Sequence, residues 1–329
     1  MLETILKNPM KKVFLSVLLS LLSIGSVFSQ FDAQYSQYMF NQTAFNPAAV
    51  GEGGMIQVTG QGRLQWLGIP NAGKTLVFSI NSPLKIGNSN HGIGLSFLRD
   101  AVGLFVNQTG HFQYAYKKNI GSGVLSVGAD VGFVSLGFNG DSVTAATHKI
   151  TLSTYHTIAE DNEIPQVNVT GTSFDMNIGA YYSTPNYYAG ISYTHLNRPV
   201  VSWTDNSDIN LNGSLFVTGG YNYVLPGTKY VFKPSGLFKT NFTTLQLDLT
   251  TRLEYDNKYW GGIGYRIQDA VSFLVGINLV SGLSIGYSYD FPTSKILLAS
   301  SGSHELLMVY SFEYVFGKRN SKYKSIRIL

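Results

Sequence analysis

The sequence predicts an all-β fold, a transmembrane antiparallel β-barrel of about fourteen strands. Three observations predict it. Leu245, Leu247, Leu249, Leu253 and Tyr255 alternate with Gln246, Asp248, Thr250, Arg252 and Glu254. Successive side chains of a strand point to opposite faces, so this segment has one apolar face and one charged face. The same period of two recurs along most of the chain, in runs long enough to cross a bilayer as tilted strands. Finally, only 13% of residues are charged while 13% are aromatic. Soluble domains carry roughly 25% charge. Mean hydropathy is only +0.06, as expected when every second residue faces water.

The first element, residues 1–29, reads as a secretory signal peptide. Lys11 and Lys12 form its basic region, Val13 to Leu22 its apolar region, and Val27-Phe28-Ser29 a small-residue cleavage site. Met10 opens a signal of ordinary length and is read as the start. The apolar run is too short to span a membrane as a helix. Cleavage after Ser29 leaves Gln30 first, with no Cys for lipidation. Residues 30–54 form an irregular leader, expected to be periplasmic or to plug the lumen.

The barrel occupies residues 55–316. Its strands are expected near 55–66, 74–82, 91–99, 106–117, 123–136, 172–183, 186–195, 214–225, 230–239, 242–256, 258–268, 270–280, 282–291 and 304–316. Tyr255-Asp256-Asn257-Lys258 and Val280-Ser281-Gly282 are tight hairpin links. The long loops Asn139–Gly171 and Asn197–Gly213 are expected on the extracellular rim. Leu125, Val127, Ala129, Val131 and Phe133 oppose Ser126, Gly128, Asp130 and Gly132. Leu283, Ile285, Tyr287 and Tyr289 oppose Ser284, Gly286, Ser288 and Asp290. Small inward residues leave room in the lumen. A soluble β-sandwich also alternates, but lacks reason for a signal peptide, this strand count and this aromatic load.

The net charge of +4 is not spread over a nucleic-acid face. Lys318, Arg319, Lys322, Lys324 and Arg327 crowd the tail 317–329, expected in the periplasm and open to acidic partners. With no Cys, the chain performs no thiol chemistry and forms no disulfide.

Two motifs imitate enzymes. Gly68 to Thr75 matches G-x-x-x-x-G-K-[ST], yet a phosphate loop needs a strand before it and a helix after it. The β-rich run Leu76 to Pro83 follows instead, so a turn between strands is the reading. Gly282-Leu283-Ser284-Ile285-Gly286 matches the nucleophile elbow, which requires a sharp strand-to-helix turn and a downstream Asp and His. Here alternation continues to Tyr289, and His304 is the sole downstream His. The six His show no metal-ligand spacing; His148 and His156 share the long loop. No cofactor or metal is expected. Asp248, Arg252 and Glu254 share one strand face, read as a lumenal charge ladder or, more sharply, as a binding surface.

Several segments together resemble the PorP/SprF family of outer-membrane proteins of type IX secretion and gliding motility in Bacteroidetes. They are Asp32 to Asn41 with Phe45-Asn46-Pro47-Ala48, Arg63-Leu64-Gln65-Trp66 with Pro70 and Lys74-Thr75, and Ser303-His304-Glu305-Leu306. The resemblance spans nearly the whole mature chain; residues 317–329 run past the family's usual aromatic end. It implies a non-catalytic barrel in the cell outer membrane, embedded in lipid. The implied partners are a peptidoglycan-binding lipoprotein of the secretion machine or one adhesin cargo. The function expected is therefore docking or anchoring within type IX secretion. The alternatives are a general pore and, further off, a barrel hydrolase centred on Ser284.

Overall fold

A computed structural model describes residues 32–141, 165, 167–204, 207–279 and 281–313. Its strands are β1 Ile56–Leu64, β2 Lys74–Ile86, β3 Ser89–Val102, β4 Phe105–Ile120, β5 Gly123–Asn139, β6 Asn168–Ser183, β7 Tyr187–Thr194, β8 Val200–Thr204 and β9 Ser207–Asn210. There follow β10 Ser214–Tyr221, β11 Tyr223–Val224, β12 Tyr230–Thr240, β13 Leu245–Tyr255, β14 Tyr259–Arg266, β15 Ala270–Asn278, β16 Leu283–Pro292 and β17 Ser303–Phe312.

Fourteen of these form the wall: β1 to β7, β10 and β12 to β17, each pairing antiparallel with its neighbours. The ring closes twice out of simple hairpin order. β10 pairs with both β7 and β12, and β1 pairs with β17 from Ile56↔Phe312 to Leu64↔His304. Closure removes the unpaired strand edges that a bilayer would not tolerate.

The predicted faces are the observed ones. Along β13, Leu249, Leu253 and Tyr255 are exposed on the outside, while Gln246, Asp248, Thr250, Arg252 and Glu254 are buried inside. The outer surface carries Leu76, Phe78, Leu95, Phe112, Val127, Phe174, Ile263, Phe273, Val275 and Leu306, all exposed. Near one rim a belt of exposed Tyr187, Tyr221, Tyr223, Tyr230, Tyr255, Tyr259 and Tyr310 sits where headgroups meet water.

That tyrosine-rich rim carries the short links 87–88, 121–122, 184–186, 256–258 and 279–282. In one of them Asp256 and Asn257 both take positive φ, 55° and 52°, the backbone a tight hairpin needs. The opposite rim carries 65–73, 140–167, 195–213 and 293–302. Both loops expected to be long therefore open on one rim.

The structure corrects three details. Strands β2 to β4 run further than their predicted ends. Pro83 marks no stop, because β1 covers β2 only as far as Asn81 and the missing Pro N–H deprives no β1 ladder bond. The loop expected at Asn197–Gly213 starts two residues earlier, at His195, and holds the β8–β9 hairpin, which folds inward. Val201, Leu211, Trp203 and Ile209 pack there on Val134 and Leu136 of β5. The Trp203 indole N–H donates to the Leu136 carbonyl at 2.7 Å. Finally, β17 stops at Phe312, and Glu313 stands outside the ladder. Residues 1–31 and the tail 317–329 lie outside the described residues, as do His148 and His156.

Candidate functional site: the leader-filled lumen

A barrel of eight strands is filled by its own side chains, whereas sixteen to eighteen leave an aqueous channel. With fourteen strands the wall encloses more space than inward side chains fill. Residues 32–54 occupy it. The segment makes four short 3-10 turns, the last two starting at Pro47 and Glu52. Tyr38, Phe45, Ala48 and Val50 are buried, as are Ser36, Gln37, Asn41 and Asn46. Non-periodic backbone in the membrane survives only if its polar groups are satisfied inside the protein. Here the wall supplies those partners.

The tightest grip is on Ser36-Gln37. The two carboxylate oxygens of Glu305 accept the N–H groups of Ser36 and Gln37, each at 2.9 Å, and also the Gln61 amide at 2.9 Å. The Ser36 hydroxyl donates to Asp290 at 2.6 Å and accepts from Arg63 at 3.0 Å. Arg63 reaches Asp290 at 2.7 Å and Glu305 at 3.4 Å. Arg266 meets Asp248 at 2.6 Å, Asp269 at 3.2 Å and Asp290 at 3.5 Å, and donates to the Tyr35 carbonyl. Four carboxylates thus surround two guanidiniums, and the leader backbone, the Ser36 hydroxyl and the Gln61 and Gln246 amides donate to them as well. Such charges are tolerable in a buried site only when each is paired and bonded.

Ser36, Arg63 and Glu305 come from the three separate segments that carry the family resemblance. Trp66 N–H also donates to the Ser303 hydroxyl at 3.0 Å, and the Gln65 amide to Gln34 at 3.1 Å. The motifs are therefore one structure: a leader and the two wall strands that clasp it.

Further along, Tyr38 shares a hydrogen bond with Ser235 at 3.1 Å, and Phe40 packs on Trp260 with ring centroids 4.8 Å apart. Gln113 donates to the Thr43 carbonyl at 2.8 Å, Ser192 to that of Phe45 at 2.6 Å, and Asn81 accepts from Gly51 N–H at 3.0 Å. At Gly128 of β5 the leader backbone comes so close that a Cβ would lie 2.6 Å from the Ala48 nitrogen. Gly128→Ala is therefore expected to unseat residues 46–50 while leaving the outer face of β5 unchanged. Overpacking of this kind costs about 1–3 kcal/mol. Faster labelling of a cysteine placed at Ala44, in a barrel that keeps its heat-modifiable gel mobility, checks it.

The predicted charge ladder is placed on the inner wall, but its members do not pair with one another. Asp248 binds Arg266 and accepts from Gln246 at 2.6 Å. Arg252 lies over Phe40, 4.3 Å from the ring centroid, and 5.6 Å from that of Trp260. Glu254 pairs with Lys233 at 2.9 Å. Two of the three thus bind wall residues on neighbouring strands, and Arg252 holds the leader.

A second cluster lies at the leader's first described residue. Asp32 accepts from Ser214 at 2.5 Å and is 3.7 Å from His195 Nε2; Lys239 donates to its backbone carbonyl at 2.9 Å. His195 Nδ1 lies 2.9 Å from Asp175 and His111 Nε2 lies 3.0 Å from the same oxygen. Burial alone raises the Asp32 carboxyl, but Lys239 and His195 outweigh it and hold it well below the usual carboxylate range. Burial alone lowers His195, but Asp175 and Asp32 outweigh that and push it up to about 10. The contact is thus an ion pair at neutral pH. A cavity of about 60 Å³ borders Asp32, Tyr35, Phe45, His111, Asp130 and His195, room for a few waters. A wider hollow of about 450 Å³ lies at the short-link rim, beside Glu52, Lys85, His91 and Lys117.

The enzyme-like motifs lie in the strands and links of the wall. Ser284 pairs with Val309 in regular register within β16, and His304 lies five residues further along β17. At about 3.4 Å per residue they are roughly 17 Å apart. Lys74 and Thr75 begin β2 rather than a helix. Among the described residues no group of three His, Cys, Asp or Glu is arranged to hold a metal ion.

An apolar outer band, an aromatic rim and a polar, leader-filled lumen define an outer-membrane β-barrel protein. The family model described as "Type IX secretion system membrane protein PorP/SprF" matches residues 27–310. The chain belongs to the PorP/SprF family. No match was found among curated proteins. Among solved structures, the chain is similar to the Ralstonia pickettii toluene transporter TbuX (11% identity, 84% of this chain and 93% of that one, TM-score 0.46). It is also similar to the P. putida toluene transporter TodX (10% identity, 82% and 93%, TM-score 0.45). A mutant Rhodopseudomonas blastica porin is further off (11% identity, 78% and 99%, TM-score 0.34). These likenesses concern the barrel architecture alone.

Proposed function

We propose that this protein is a non-catalytic docking or anchoring component of type IX secretion, closed by its own leader rather than open as a general pore. The observation that carries the reading is the bonding of residues 32–51 to opposite walls, Glu305 and Arg266 on one side, Gln113 and Ser192 on the other. A conducting pore gains nothing from so many partners for a segment that fills it. In this reading the signal peptide 1–29 is cleaved after export, and the short-link rim with the basic tail 317–329 faces the periplasm. There the tail meets an acidic partner such as a peptidoglycan-binding lipoprotein of the machine. The longer loops face outward, where a secreted adhesin cargo passes.

Affinity purification from the native outer membrane is expected to recover other type IX components with the full chain, and to lose them when 317–329 is removed. Survival of the complex without the tail, or recovery of the barrel alone in both cases, rejects docking through the tail.

A further inference from the structure

The wall sorts its charges by sign as well as by face. Among the described residues, every carboxylate on a wall strand points into the lumen, from Asp100 on β3 to Glu305 on β17. Lys74 on β2, Arg99 on β3 and Lys118 on β4 are the charged side chains on wall strands that point outward, and all are cations. The bond from Thr75 to Asp100, at 2.6 Å inside the lumen, fixes the sense for the first two. Lys74 and Arg99, one residue along each strand, face the bilayer. On β12 to β17 no charged side chain among the described residues faces outward.

Lys74 and Arg99 sit together. Lys74 pairs in register with Ala101, and Arg99 is two residues from Ala101 on the same face. Such diagonal neighbours start about 7 Å apart, so both side chains reach one anion. Their other outward neighbours in register are Leu64, Leu76 and Gln108, so the wall itself offers neither a counter-ion. Both stand where the apolar band ends, with Leu76, Phe78, Leu95 and Phe97 exposed beneath them. Arg99 is eight positions along β3 from His91, which packs on Tyr114 and Tyr116 near the short-link rim. At about 3.4 Å per residue and a tilt of about 40°, that is a height of roughly 21 Å, nearly the whole of an apolar band about 25 Å tall. The polar end continues sideways: Gln108, Ser135 and Thr172 share one register row with Arg99, above Phe97, Phe133 and Phe174. A hollow of about 230 Å³ opens there, bordered by Arg99, Val106, Gln108, Ser135 and Thr170.

We propose that Lys74 and Arg99 clamp the phosphate of an anionic lipid in the leaflet at the loop-bearing rim, with the rest of its headgroup in the hollow over β4 to β6 and its chains on the phenylalanines below. Lys brings a point charge and Arg a planar fork, and both stems lie along apolar surface while their charges reach the headgroups. The clamp depends on neither the docking role nor the side of the membrane that this rim faces.

The full-length protein, reconstituted in vesicles of equal phosphatidylglycerol and phosphatidylcholine, tests it through a benzophenone side chain in place of Val106. Mass spectrometry of the photo-adducts is expected to find phosphatidylglycerol at least tenfold over phosphatidylcholine there. With the benzophenone instead at Val271, on the outer face of β15, the ratio is expected near one. Lys74→Gln or Arg99→Gln is expected to lower the Val106 ratio about fivefold, and the double variant to bring it near one; Lys118→Gln leaves it unchanged. A ratio near one at Val106, an equal preference at Val271, a fall with Lys118→Gln, or no fall in the double variant overturns the clamp. Neither cation takes part in the strand ladder, so heat-modifiable gel mobility is expected to persist. Should a variant not fold, the chain with both cations still decides: sodium chloride is expected to lower its Val106 ratio, and a ratio indifferent to salt overturns the clamp. Inorganic phosphate is expected to do no more than sodium chloride of equal ionic strength; a larger loss assigns the clamp to a free anion and overturns the lipid.

Discussion

A barrel lacking residues 32–54 conducts ions steadily across a planar bilayer, whereas the intact chain stays near baseline. The expected difference is tenfold or more. Fourteen strands enclose a lumen wider than inward side chains fill. Once the leader is gone, the exposed lining is Gln61, Ser79, Gln113, Asp130, Ser192, Asp248, Arg252 and Glu305, a surface that water wets. The wall does not need the leader for its own ladder, because every wall strand is bonded to two others. Gel mobility should therefore report a folded barrel. Equal conductance in both proteins defeats the closed-lumen reading: high in both marks a pore, low in both marks some other plug.

Glu305→Ala loosens the leader by about 3 kcal/mol without unfolding the wall. The carboxylate accepts from Ser36 N–H, Gln37 N–H and the Gln61 amide. Each buried donor left without a partner costs about 1–3 kcal/mol. Arg63 keeps Asp290 at 2.7 Å, so the guanidinium is not stranded, and water entering from the rims recovers part of the rest. About 3 kcal/mol is a hundredfold change in the seated-to-released ratio. A cysteine at Ala44 should gain labelling by about that factor, with Glu305→Gln, which keeps one acceptor oxygen, in between. Unchanged labelling in Glu305→Ala shows that the clasp contributes nothing to seating.

The wall was legible because a strand in lipid has one rule, and the sequence keeps it along most of the fourteen wall strands. The leader's place was not legible. Its 3-10 turns have no period, and its partners lie far away in sequence: Ser36 is 269 residues from Glu305. A signal did exist. Gly92, Gly128, Gly179 and Gly286 lie where Val50, Ala48, Asn46 and Gln37 press closest, and inward glycines midway along strands mark close approach of another chain. The charge ladder shows the same limit. Alternation placed Asp248, Arg252 and Glu254 on the inner face, but pairing depends on which strands are neighbours and in what register. The Asp32 cluster went unseen for that reason, since His195, Ser214 and Lys239 come from three strand ends.

The pairing of β1 with β17 also dictates an order of events. The first and last strands of the wall meet only after the whole chain has been made, so this ring is among the latest contacts to form and the most demanding in loop entropy. The leader precedes β1 and is gripped from both halves of the chain, by Asn81 and Ser192 early and by Asp290 and Glu305 late. A leader already inside when the seam zips shut bonds the early strands first and takes the late carboxylates as they arrive. During assembly it is then a mandrel, around which the two halves of the sheet are drawn into one cylinder.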